Sequence, residues 1–395
     1  MDPRAIGAEL ERIERLGLTR RRRTVEAFTD PERPTRVRVA GRTLVNFSGN
    51  DYLGLAHHPA LIAAMTQAAA RWGAGSGAAH LVSGHGEEHA RLEKELAGFV
   101  GRPRALLFST GYMANLAVLS VLAGRGDLVL LDRLSHASLI DAALLARARV
   151  QRYRHADAAS AERLVTRPAG KSGATVIATD GLFSMDGDEA PLASLAALAQ
   201  ARSAWLVVDD AHGLGVLGPT GRGTLEAQGL GMAEVPVLMG TLGKAFGSFG
   251  AFVAGSAELI ELLIQRARTY IYTTALPQPV AAATRAALVI AQRESWRRAR
   301  VLELTQRFRR GAAALGIALT GSMTPIQPVV IGESRAALEV SRELSEAGFW
   351  VAAIRPPTVP RGSARLRITF SAAHTEPEVD ALLEALARAL TRGSA

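Results

Sequence analysis

Short apolar runs at residues 105–108, 128–131, 175–179, 206–209, 237–239 and 251–254 alternate with Ala- and Leu-rich stretches or loops. Runs this brief and this apolar read as strands buried on both faces, with the intervening stretches as helices packed over them. The alternation predicts an α/β fold with a mostly parallel sheet covered on both sides. In open sheets of this kind ligands bind beyond the carboxyl ends of the strands. The residues that close each apolar run are therefore where chemistry is to be sought.

Two of these runs end in residues suited to one cofactor. WLVVDDAHG, residues 205–213, carries Asp209 and then His212, and the run at 237–239 leads into GTLGKAFG, residues 240–247, with Lys244 in an apolar, glycine-flanked setting. A carboxylate leaving a buried strand is poorly solvated. It can keep the ring nitrogen of pyridoxal 5'-phosphate (PLP) protonated, the state in which that ring draws electrons. Strand alternation turns Asp210 to the opposite face, while His212, once the chain has turned, reaches the ring's phenolic oxygen. Lys244 is the amine that PLP chemistry needs, first to hold the aldehyde as an imine and then to move protons at a substrate α-carbon. The glycines on both sides leave room for that movement. Each residue alone has an ordinary explanation, since an Asp after a strand often caps a helix and most His and Lys side chains are solvated. Their order at successive strand ends is what points to PLP.

A phosphate needs its own cradle. RALLFSTGYMAN, residues 104–115, reads as a strand, a turn of small residues and a helix start, which puts free N–H groups and the positive end of a helix dipole at Gly111 and Tyr112. Thr241 adds a hydroxyl near Lys244, and Thr273 and Thr274 offer two more, suited to reach across from the second subunit of a homodimer. In DRLSHAS, residues 132–138, Ser135 is placed as the N-cap, so that His136 opens a helix above the same sheet edge and can stack on the pyridine ring.

The segments NDYLGL (50–55), DRLSHAS (132–138), GLFSMDGD (181–188), DDAHG (209–213) and TLGK (241–244) together resemble the alpha-oxoamine synthases. These are fold-type I PLP enzymes that condense an amino acid with an acyl thioester and release carbon dioxide. The resemblance runs from about Arg20 to the C-terminal helix. It implies a large PLP-binding domain with a smaller C-terminal α/β domain, Lys244 as the imine lysine, Asp209 at the pyridine nitrogen and His212 at the phenolic oxygen. It also implies His136 stacked on the ring, and Gly111, Tyr112, Ser184 and Thr241 in contact with the cofactor. Substrate contacts are implied at Arg21, His136, Thr358 and an arginine of ARLRI (364–368), with Arg367 favoured over Arg365 for the amino-acid carboxylate. AIRPPTVP (353–360) resembles the biotin-pathway branch, whose substrates are L-alanine and a pimeloyl thioester on coenzyme A (pimeloyl-CoA) or a pimeloyl carrier protein. Asp180, where that branch often has Glu, is also similar to a threonine-catabolic branch that uses glycine and acetyl-CoA. His80 and His85 stand in GSGAAHLVSGHG (75–86) where a small or arginine residue and an aromatic one are expected.

The 395 residues, 48% hydrophobic and 21% charged, suffice for more than one domain. The pattern places an N-terminal segment at 1–48, a large domain at 49–290 and a small C-terminal domain at 291–395, the last with strands at 326–331, 350–352 and 365–370. A Pro-Gln-Pro break at 277–279 opens a long helical passage to residue 310. The absence of cysteine excludes disulfides and thiol catalysis, leaves any metal dependent on His and carboxylates, with none read at this site, and suits the cytoplasm. No apolar targeting core opens the chain and no apolar run is long enough to span a membrane. The net charge of +9 includes four arginines at 20–23, but arginines recur at helical spacing at 297–300 and 307–310, the pattern of solvated faces and not of a nucleic-acid site. The surplus suits an anionic thioester, with residues 20–23 near its entrance.

Overall fold

The computed structural model describes residues 2–30, 33–165 and 173–392. It divides into two compact units, one of Asp51–Ser184 and Asp188–Arg298, the other of Met1–Asn50, Met185–Gly187 and Ala299–Ala395. The N-terminal segment contributes three strands that the apolar pattern did not mark, β1 (Ala27–Phe28), β2 (Arg36–Val39) and β3 (Arg42–Asn46), joined as an antiparallel meander. Their arginine-rich sequence hides a period of two, and Val37, Val39 and Leu44 are the members that are buried.

The larger unit holds a seven-stranded sheet of β4 (Arg104–Phe108), β5 (Leu128–Asp132), β6 (Arg149–Tyr153), β7 (Thr175–Asp180), β8 (Trp205–Asp209), β9 (Val237–Thr241) and β10 (Ala251–Gly255), in the order β4-β10-β9-β8-β7-β5-β6. Neighbours from β9 to β6 run parallel, and β10 runs antiparallel to both β9 and β4. Alternate residues of each strand serve opposite faces. Val129, Val176 and Val207 pack with the helices Gly111–Leu122, Ala137–Leu145 and Ala257–Arg266, while Leu130, Ile177 and Leu206 pack with the helix Leu192–Ala201. The edge strand β6 escaped the apolar pattern because RVQRY buries only its tyrosine. The passage from 277 to 310 is two helices, Gln278–Arg293 and Trp296–Ala314, interrupted where Glu294 leaves helical geometry (φ −98°, ψ 61°).

In the smaller unit, β11 (Ile326–Gly332) and β13 (Ala352–Ile354) flank β14 (Ala364–Thr369) in an antiparallel sheet, and β12 (Phe349–Trp350) adds parallel to β3. The stretch read as one strand at 350–352 is thus shared between two sheets. Ser48 makes the break: its hydroxyl donates to the Trp350 carbonyl at 3.1 Å and accepts from the Ala352 N–H at 2.8 Å. Among the described residues no helix is long and apolar enough to cross a membrane.

Candidate active site

A cavity of about 200 Å³ opens at the carboxyl ends of the central strands of the larger unit. Its lining brings together Lys244, His212, Asp209, His136, Thr241, Gly111 and Tyr112, seven of the residues singled out in the sequence, with Ser138, Asp180, Ala211 and Met239. Each strand end delivers its side chain by the same logic: the backbone must leave the sheet there, and a polar group that would be stranded inside the sheet can face the opening.

Lys244 lies on the connection between β9 and β10. Because those strands are antiparallel neighbours, the link is short and tied, with Leu242 N–H donating to the Gly250 carbonyl at 2.8 Å and Ser248 N–H to the Leu242 carbonyl at 3.0 Å. Gly247 has φ +61°, and a Cβ there would fall 2.3 Å from the backbone nitrogen of Ala56. The glycine after Lys244 therefore serves close backbone approach, and not the free movement expected of it; Gly243, whose Cβ would meet its nearest atom at 3.5 Å, does have room. Lys244 Nζ stands 2.7 Å from His212 Nε2, and His212 Nδ1 stands 2.7 Å from the Tyr52 hydroxyl. An ammonium has only hydrogens to give, so His212 accepts at Nε2 and carries its own proton on Nδ1, toward Tyr52.

Asp209 is held from two sides. Ala211 N–H donates to Oδ1 at 3.0 Å, and the Asn115 amide donates to Oδ2 at 2.7 Å. The other Asn115 amide hydrogen goes to Ser138 Oγ at 2.8 Å, and Ser138 lies 2.7 Å from His136 Nδ1. His136 Nδ1 also accepts the Ser138 N–H at 3.2 Å, so the ring's lone pair is at Nδ1. That contact makes His136 itself the N-cap of the helix Ala137–Leu145. Ser135, expected to cap it, instead has a buried hydroxyl with no hydrogen-bond partner among the described residues. Burial lowers the His136 pKa, opposed by the nearby charge of Asp209 and reinforced by Lys244. Asp180 accepts the His136 N–H at 2.9 Å, and burial together with the Asp209 charge pushes its pKa well above the usual carboxylate range.

The remaining expected residues lie elsewhere. Asp210 faces away from the cavity, accepting from Thr224 N–H at 2.8 Å and from the Thr224 hydroxyl; burial raises its pKa to about 7. Ser184 is half-buried in the turn after Phe183 and does not line the cavity, nor do Thr273 and Thr274, the latter bridging Ala79. In the smaller unit Arg21 and Thr358 are exposed, while Arg367 is buried on β14 with Nη1 donating to Asn50 Oδ1 at 3.1 Å. Sequence reasoning assigned no role to Asn115, Ser138 or Tyr52. Asn115 had one usable signal, its position four residues after Gly111 on the same helix face.

The chain matches the model of the aminotransferase class I and II family over residues 42–386. It is 59% identical over 392 residues to an 8-amino-7-oxononanoate synthase of Thioalkalivibrio sulfidiphilus, covering 99% of this chain and 98% of the relative. To the protein of the same name from Methylococcus capsulatus it is 60% identical over 369 residues, 93% of this chain and 94% of the relative. The chain belongs to the alpha-oxoamine synthases within that family. Solved structures agree: a serine palmitoyltransferase from S. paucimobilis with bound PLP-myriocin aldimine aligns with a TM-score of 0.92 at 30% identity, over 99% of this chain and 98% of that one. An 8-amino-7-oxononanoate synthase from Francisella tularensis aligns at 0.78 and 31% identity, over 89% of this chain and 99% of that one. As an alpha-oxoamine synthase the chain is a PLP-dependent acyltransferase of fold type I. The donor set of the cavity fits that cofactor, with an amine at Lys244, a buried carboxylate at Asp209, an imidazole beside the amine, and the first-turn N–H groups of the helix Gly111–Leu122.

Proposed function

We propose that this chain condenses L-alanine with a pimeloyl thioester to give 8-amino-7-oxononanoate, releasing carbon dioxide and the carrier thiol. A carbon–carbon bond forms between the alanine α-carbon and the thioester carbonyl carbon, the carbon–sulfur bond breaks, and the alanine carboxylate leaves as carbon dioxide. What carries the reading is one juxtaposition: Lys244 Nζ lies 2.7 Å from His212 in a cavity that Asp209 and His136 also line, in a chain 59% identical over its length to a synthase of that product.

Bound PLP supplies an electron sink for the α-carbon of an amino acid. The protein does the rest. Lys244 anchors the cofactor and then takes and returns the α-proton at its freed amine. His212, fixed by Tyr52, aims that amine. Asp209 would place its charge at the pyridine nitrogen, and His136 would lie against the ring and the incoming substrate. The first-turn N–H groups at Gly111 and Tyr112, with Thr241, hold the phosphate. The resemblance alone supports Ser184, which does not line this cavity, as a cofactor contact, and Thr273 and Thr274 would reach the phosphate of the partner site in a homodimer. Arg367 takes the alanine carboxylate, and Arg21 and Thr358 orient the acyl chain.

Turnover of a thioester panel tests the reading. Alanine with pimeloyl-CoA or the pimeloyl carrier protein is expected to release thiol and carbon dioxide far faster than glycine with acetyl-CoA, and the faster of the two pimeloyl carriers identifies the physiological one. Thr358→Val and Arg21→Ala should raise KM for the acyl substrate more than for alanine. A preference for glycine and acetyl-CoA would move the chain to another branch of its family.

A further inference from the structure

Outside the cavity, the larger unit gathers three imidazoles that the proposed reaction does not use. His80–Gly84 forms a single π-turn, and the helix Glu87–Phe99 starts three residues later. Such wide turns occur frequently at functional sites. Gly84 makes this one possible, because a Cβ there would fall 2.1 Å from the Ala78 carbonyl oxygen. His80 Nδ1 and His85 Nδ1 face each other at 3.0 Å. His89 accepts the Gly86 N–H at Nδ1, 2.9 Å away, and donates from Nε2 to the Leu276 carbonyl. One ligating nitrogen from each ring lies within 4.8 Å of the other two. His80 and His89 are buried, His80 stacked on Tyr270 with centroids 5.0 Å apart, while His85 is exposed and leaves the cluster open to solvent.

Zinc holds imidazole nitrogens at about 2.0–2.1 Å in a tetrahedron, which sets neighbouring ligand nitrogens about 3.3 Å apart. The His80–His85 pair is already near that spacing. A metal-bound histidine usually donates its second ring N–H to a carbonyl, the arrangement His89 already has with Leu276. His89 Nδ1 accepts the Gly86 N–H, so that atom already presents the lone pair a ligand needs. A set of three imidazoles without a carboxylate selects zinc and its first-row neighbours over calcium or magnesium.

We propose that His80, His85 and His89 form a binding site for Zn²⁺ or a similar divalent first-row ion, with the three Nδ1 atoms as ligands and solvent as the fourth. Binding moves the proton shared between His80 and His85 to a ring Nε2 and frees His89 Nδ1 from the Gly86 N–H, with no net proton released. The bound ion ties the π-turn to the start of the helix Glu87–Phe99. The site shares no residue with the lining of the Lys244 cavity, so its test stands apart from the proposed reaction.

The test titrates chelator-treated, PLP-loaded enzyme with Zn²⁺ by calorimetry and with Co²⁺ by visible absorption. One ion per chain is expected, with the intense ligand-field bands of tetrahedral Co²⁺, and thermal unfolding should shift upward with Zn²⁺. His85→Ala and His85→Gln change an exposed ring and should retain PLP absorbance while losing affinity by more than about tenfold. His80→Gln should do the same to affinity. Absence of stoichiometric binding, or binding of unchanged affinity in both His85 variants, would show that the three rings form a hydrogen-bonded cluster only and overturn the proposal.

Discussion

The Asn115 side-chain amide donates to Asp209 Oδ2 at 2.7 Å in a setting from which water is almost fully excluded. The same amide reaches Ser138, which in turn meets His136. One neutral side chain on the helix Gly111–Leu122 thus orients a carboxylate from the end of β8 and an imidazole from the loop after β5.

Asn115→Ala should therefore weaken the site without touching substrate. A hydrogen bond to a charged group contributes about 1.5–3 kcal/mol, so PLP affinity or kcat should fall roughly ten- to a hundredfold. Asn115→Asp should be worse, because it sets a second carboxylate against Asp209. PLP titration and steady-state kinetics check this. An effect confined to KM for the thioester would contradict the arrangement.

Lys244→Ala should fold and bind PLP without covalent attachment, and turnover should drop by orders of magnitude. Borohydride reduction followed by peptide mapping should place the label on Lys244 in the parent enzyme and nowhere in the variant. A label on another lysine would remove the assignment.

Asp209→Asn and Asp210→Asn are a matched pair on one strand end with opposite surroundings. The first removes the charge proposed to act on the pyridine ring, and α-proton exchange from alanine should fall by orders of magnitude while alanine binding changes less. The second neutralises a buried group bonded to Thr224, and should leave exchange nearly intact. Equal losses in both variants would show that Asp209 acts through packing alone.

His155 links Asp132 at 2.9 Å to Asp188 at 2.8 Å. Burial opposes its charge, but hydrogen bonds to the two carboxylates outweigh it and raise its pKa from 6.5 to about 10. The folded state then binds this proton more tightly than the unfolded chain, so the stabilisation is complete below 6.5 and is lost as pH rises toward about 10. The Tm of the parent enzyme should fall across that window relative to His155→Gln. Parallel Tm profiles would refute the linkage.

Arg365 and Arg367 are both buried on β14, with different partners. Arg365 pairs with the partly exposed Asp186 carboxylate, and Arg365→Ala removes the charge that faces it and should lower stability. Arg367 bonds the neutral amide of Asn50. Arg367→Ala should instead raise KM for alanine, with a smaller change in denaturation midpoint. The reverse pattern would reassign the carboxylate contact to Arg365.

The apolar runs, the alternation that separates them, and the placement of Asp209, His212 and Lys244 at strand ends are properties of local sequence. An apolar run that must be buried on both faces has few conformations open to it, and the residue that closes it faces the opening wherever neighbouring strands lie. Other features depend on residues distant in sequence. Asn115 meets Asp209 across 94 positions, and Tyr52 meets His212 across 160. The two halves of the stretch 349–354 join different sheets because Ser48, some three hundred residues earlier, bonds on both sides of the break. The His80, His85 and His89 rings meet because a π-turn bends the chain back beside a helix start. Pairings of this kind leave no period in the sequence, since they are fixed by packing and by the requirement that buried polar groups find partners, and both exist only once the chain has folded.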